Sequence, residues 1–146
     1  MATVPTIETS DWLALKQRVD TLALDIAIPI YEPGAIFTPP KDASGPLPYI
    51  LLSDVANAPD RGGRIDPSLH ERTGTLMLTL QWPIAKPVTH ARLKELGGQI
   101  AAHFPADACM PFGRSRLRVT QDSAALAAYV DGAHRVVVVR VFWSST

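Results

Sequence analysis

TGTLMLTLQW, residues Thr73 to Trp82, alternates polar and apolar side chains through its middle. Leu76, Leu78 and Leu80 fall on one side of an extended chain, and Thr75, Met77, Thr79 and Gln81 on the other. A period of two belongs to a strand with one dry face and one wetter face. The stretch predicts a central strand. Earlier segments then pack onto its sheet, and later ones return to pair with it.

Downstream, Trp82-Pro83 turns the chain into a helix expected from about Pro87 or Thr89 to Phe104. Leu93, Leu96, Ile100 and Phe104 make its buried stripe, while Arg92, Lys94, Glu95 and Gln99 face water. Gly97-Gly98 sits inside it, at roughly 1 kcal/mol per glycine relative to alanine, a cost that close approach to the sheet would justify. Residues 105–113 read as a loop, Arg114–Gln121 as a strand with Leu117 and Val119 inward, and Asp122–Val130 as a short helical turn capped by Ser123. After an Asp131-Gly132 turn, Arg135–Trp143 is a β-branched run expected as a central strand, covered on both faces and paired with 114–121.

Upstream, a helix is expected over about Ser10–Leu24. Ser10 would be its cap, Glu8 and Asp11 would sit at its positive end, and Trp12, Leu15, Val19, Leu22 and Ile26 would form its stripe. Ile26–Tyr31 alternates but contains Pro29, so it reads as an edge strand or extended segment. Residues 32–48 hold Pro33-Gly34, Pro39-Pro40 and Gly45-Pro46, the marks of an extended arm, with Phe37 as its anchor. Tyr49–Val55 is a short strand forming a long hairpin with the central one. The connection, residues 56–71, includes Asp60-Arg-Gly-Gly-Arg64 and Asp66-Pro67. Connections this long tend to be functional or disordered, and this one is expected to be mobile.

The 146 residues fit one domain, 47% apolar. A chain of this length buries about 70% of its unfolded surface, enough for a core without staples. Fourteen basic residues balance fourteen acidic ones, so no global charge draws it to nucleic acid or membrane, and neutrality favours self-association. The only cysteine, Cys109, forms no internal disulfide and suits a reducing compartment. No signal peptide and no membrane span are expected.

No catalytic constellation emerges. His70, His90, His103 and His134 lack metal-ligand spacing, and nothing local activates Cys109. Asp60, Asp66 and Glu71 fall on the expected mobile loop, a poor place for paired carboxylates. No phosphate loop or nucleophile elbow is present. Arg114, Arg116 and Arg118 share a strand face, which fits a solvated sheet, a subunit contact to acidic groups or a phosphate track. Arg140 interrupts an apolar strand, and a buried arginine there needs a carboxylate, within the fold or across a subunit boundary.

The combination of Phe37-Thr-Pro-Pro40, Pro48-Tyr-Ile-Leu-Leu52, Arg72-Thr-Gly-Thr-Leu-Met-Leu-Thr-Leu-Gln-Trp-Pro83 and the closing strand after Asp131-Gly132 resembles a family of small phage and prophage proteins similar to the tail terminators of long-tailed phages. The resemblance covers nearly the whole chain. It implies an α+β fold, with two main amphipathic helices on a mixed, largely antiparallel sheet. It also implies a non-enzymatic virion protein without cofactors. Such proteins form a homo-oligomeric ring, usually of six subunits, at the head-proximal end of the tail. The ring stops tube polymerisation and offers a surface for head joining. The partners implied are the tail tube protein and the head–tail connector, with DNA free to pass through the ring and no membrane or specific nucleic-acid binding. Assembly would take place in host cytoplasm. Local physics then selects Arg61, Arg64, His70, Arg72, Arg114, Arg116, Arg118 and Arg140 as subunit or tube contacts, and the 56–71 loop as facing the tube or ring lumen. The rival readings are another head–tail joining or tail-completion protein, a small α+β ligand-binding domain or enzyme, and a nucleic-acid-binding accessory protein.

Overall fold

Two twelve-residue strands, Arg72–Pro83 and His134–Ser145, lie antiparallel in register along their whole length. The computed structural model describes residues 6–34, 38–57 and 71–145. In chain order its elements are α1 (Ile7–Asp20), β1 (Ile30–Tyr31), β2 (Lys41–Asp42), β3 (Gly45–Pro46), β4 (Tyr49–Ala56) and β5 (Arg72–Pro83). Then come α2 (His90–Ala102), β6 (Cys109–Phe112), β7 (Ser115–Val119), β8 (Ala124–Ala125), β9 (Tyr129–Asp131) and β10 (His134–Ser145).

The register places Leu76, Leu78 and Leu80 beside Val141, Val139 and Val137, and all six are buried. On the other flank of β5, β4 brings Ile50 and Leu52 to the same side, opposite Leu80 and Leu78. The sheet runs β1-β4-β5-β10-β7-β6, and every described pair in it is antiparallel except β1 with β4. This is the expected α+β architecture, with the expected hairpin of β4 and β5. Asn57 closes its described end, donating from its backbone N–H to the Thr73 carbonyl (2.9 Å) and from Nδ2 to Thr73 Oγ1 (3.0 Å). Residues 58–70, most of the expected mobile loop, and Phe37, the expected arm anchor, lie outside the described residues.

Both helices lie on one face of the sheet. Ala14, Leu15 and Val19 of α1 and Leu93, Leu96 and Ile100 of α2 join Phe104 and the β5 and β10 aliphatics in one core. Thr89 caps α2, its Oγ1 accepting from the Arg92 N–H at 3.1 Å. Gly97 lets the helix down onto the sheet: a β-carbon there would stand 2.8 Å from Ala125 Cβ and 3.0 Å from Val137 Cγ1. Gly98 faces open space.

Five expectations need correction. The cap of α1 is Thr6, and Ser10 is buried inside the helix. The helix ends at Asp20. Beyond it Leu22, Leu24, Ile26, Ile28 and Ile30 are half-buried between exposed neighbours, so Leu22 and Ile26 reach the core from outside the helix. Cys109–Phe112 is a strand, not a loop, because an edge strand tolerates Pro111. Residues 122–130 form no helical turn. They continue β7 along β10 as β8 and β9, with extra residues bulging out between Val119 and Ala124 and between Ala125 and Tyr129. Ladder bonds such as Leu126 N–H to the Val138 carbonyl override the helix propensity of the alanines. Ser123 instead donates to the Phe104 carbonyl, 3.0 Å away. Finally, β10 is central, but only its inner face is fully covered: Arg140 and Phe142 on the outer face are exposed.

Candidate interaction surface

Side-chain parity along β5 and β10 sorts the candidate residues. Arg72 shares parity with Leu76 and points to the helix side, where its Nε donates to Asp11 Oδ2 at 2.7 Å and its Nη2 to Ser145 Oγ at 2.8 Å. Ser115 Oγ also donates to Asp11. This nearly buried pair, satisfied on both sides, ties α1 to β5, β7 and β10. Asp11 was expected only at the helix dipole; the parity of Arg72 was the signal for its partner. Removing one member of such a pair leaves an uncompensated buried charge, which costs about 3–5 kcal/mol.

Arg140 has the opposite parity. It is exposed on the outer face beside Met77 and makes no ion pair among the described residues, correcting the expectation of a buried arginine. Arg116 and Arg118 share that face on β7. Arg116 folds back onto the Gly113 and Ser115 carbonyls (2.7 and 2.8 Å), and Arg118 lies 3.7 Å from the exposed Asp107. Arg114 sits in the β6–β7 turn, so the expected row of three is two strand residues and a turn residue. Arg61, Arg64 and His70 lie outside the described residues.

The outward positions of β4, β5, β10 and β7 mix apolar, neutral polar and basic side chains. They are Tyr49, Leu51, Ser53 and Val55 on β4, then Thr73, Thr75, Met77, Thr79 and Gln81 on β5. His134, Val136, Val138, Arg140, Phe142 and Ser144 follow on β10, and Arg116 and Arg118 on β7. None of these is a carboxylate; the face's acidic position is Asp131 on β9, opposite His134. One end is closed by an aromatic chain from Tyr31 through Tyr49 to His134, with ring centroids 6.1 and 5.7 Å apart. At the other end Val55 and Phe142 flank Thr75 and are 52% and 36% exposed.

On the helix side, the segment after α1 runs out to Asp25, bends there and returns to Ile30. Its limbs, Leu22 to Leu24 and Ile26 to Ile30, line an apolar groove of about 500 Å³. Arg92 clamps the bend, its two Nη atoms 2.5 and 2.7 Å from the Asp25 carboxylate. That bidentate contact, with Gln99, holds the Asp25 carboxyl down at about 2. Asp20 and Glu32, at the two ends of the segment, both lie against Lys16. A second cavity, of about 320 Å³, lies between the start of α2 and β9, lined by Val88, His90, Tyr129 and Arg135 among others.

The described residues hold no group of three His, Cys, Asp or Glu side chains that could bind a metal. His103 Nε2 lies 2.8 Å from the Arg18 carbonyl and 2.9 Å from Thr21 Oγ1, joining the ends of the two helices. Cys109 is exposed, its Sγ 3.7 Å from the Asp107 carbonyl. Among the described residues no helix is long and apolar enough to cross a membrane.

A family model described as phage tail terminator protein matches residues 12–143. One solved structure superposes with a TM-score of 0.75 at 18% identity, covering 97% of each chain, which supports the fold. No curated protein matches the chain.

Proposed function

The chain belongs to the phage tail terminator family, and from that premise we propose that it caps the tail tube as a ring of identical subunits. Membership makes it a structural component of a phage tail, acting in tail completion. The finer reading is that the ring sits at the head-proximal end, stops tube polymerisation and presents a surface to the head connector. Its partners would be other copies of itself, the tube protein and the connector, with DNA passing through the ring. Six is the subunit number that the resemblance implies. We read the protein as non-enzymatic.

The observation carrying this proposal is the family match across nearly the whole chain. The fold is compatible with it: the α+β body leaves Arg114, Arg116, Arg118 and Arg140 facing solvent, available for subunit or tube contact.

Removing the gene from its phage tests the role. Tails should overgrow or vary in length and fail to join heads, and supplying the wild-type chain should restore them. Tails of normal length joined to heads without the protein would overturn the reading.

A further inference from the structure

A ring of identical subunits needs two different surfaces per subunit, one that gives and one that receives. Resting on the ring reading above, we infer that the open end of the outer sheet face docks into the Leu22–Ile30 groove of a second copy. Phe142 and Val55 supply the apolar contact, while Arg140 and Arg118 meet the carboxylates beside the groove.

Three observations carry the pairing. First, the two surfaces match in polarity. The sheet end exposes an aliphatic and an aromatic side chain, and the groove is lined only by leucine, isoleucine, alanine and proline. Second, they match in charge. Arg140 has no ion-pair partner among the described residues, and the outward positions of β4, β5, β7 and β10 hold no carboxylate; Arg118 has only Asp107, at 3.7 Å. The groove has Asp20, Asp25 and Glu32 against Lys16 and Arg92, an excess of negative charge. Third, backbone groups beside the groove remain available. From Ala23 to Ile28 no residue makes a backbone–backbone hydrogen bond among the described residues. The Asp25 N–H alone has a side-chain acceptor there, Gln99 Oε1, at 3.4 Å. A neighbour in the groove can bond the rest. The patches also lie on opposite layers of the molecule, so the contact is heterologous, as ring closure requires.

Sedimentation velocity on the full chain tests this, with circular dichroism confirming that each variant is folded. Wild type should associate as its concentration rises. Arg140→Glu should weaken association about tenfold or more by placing like charges together. Phe142→Asp, and Asp20→Lys with Glu32→Lys, should do the same. Combining Arg140→Glu with Asp20→Lys and Glu32→Lys in one chain should restore most of the loss. Variants that all associate like wild type would overturn this surface and leave the ring reading standing. Single losses without recovery in the combined variant would overturn the pairing of these two patches. Wild type that stays monomeric at every concentration would overturn the inference as well, and the tail-length experiment would still decide the tail role. Binding of the sheet end to purified tube protein, abolished by Arg140→Glu while self-association persists, would reassign the surface to the tube.

Discussion

Gly97 and Gly98 stand side by side on one helix, and alanine should act on them in opposite directions. At Gly98 nothing lies within 4 Å of a new β-carbon, so Gly98→Ala should stabilise by about 0.5–1 kcal/mol through helix propensity alone. At Gly97 the same carbon meets Ala125 and Val137 at 2.8 and 3.0 Å, and overpacking of about 1–3 kcal/mol outweighs that gain. Urea unfolding of the two variants checks the contrast; equal shifts would mean α2 does not press on the sheet at Gly97. Asp25 offers a titration at the same scale. Its folded carboxyl sits at about 2, below the ordinary 3.8, so the Arg92 clamp adds stability above the unfolded value, and that contribution is lost as pH falls toward 2. Carbon-13 detection of the Asp25 carboxyl should show the low midpoint, and Arg92→Ala should return it toward the ordinary range.

At the scale of elements, β5 and α2, both legible in the sequence, share a physical feature. Their buried side chains repeat at a fixed period, so local pattern and tertiary packing agree. The segment Leu22-Ala-Leu-Asp-Ile-Ala-Ile-Pro-Ile30 carried two patterns at once. Leu22 and Ile26 continue the helical spacing of Val19, yet the same stretch alternates strictly by two, and burial follows the alternation because the helix stops at Asp20. For β8 and β9 the deciding partner, β10, arrives later in sequence, and no local signal among the alanines announces it. Hydrogen exchange separates these cases. Amides from Ala23 to Ile28, with no backbone acceptor among the described residues, should exchange quickly, whereas those from Leu76 to Leu80 should exchange only on global unfolding. Strong protection at Leu24 and Ile26 in the free monomer would contradict the absence of backbone bonds in this segment; protection gained only on self-association would fit the groove being filled.

For the molecule as a whole, the arginines show where sequence stops. Parity alone separates Arg72 from Met77 and Arg140 from Val139, but it does not say which side the helices cover. That depends on where α1 and α2 pack, so Arg140 in the run VVVVRVFW read as buried when it stands on the bare face. The groove was less legible still, since it is made by a bend that no motif marks. Zero net charge conceals this sidedness: fourteen cations and fourteen anions cancel in sum, yet the outer face gathers arginines and the groove gathers carboxylates. The division predicts how salt acts on self-association. Raising ionic strength from about 0.1 M to about 1 M shortens the screening length from about 10 Å to about 3 Å, so the charge contribution between exposed groups should fade while apolar burial persists. Association should therefore weaken with salt to a plateau, and Phe142→Asp should abolish what remains at the plateau. For Arg140→Glu the trend should reverse, because salt then screens a repulsion. Wild-type association that only strengthens with salt would show that apolar contact alone drives it, and that the arginines on the open face serve some other end.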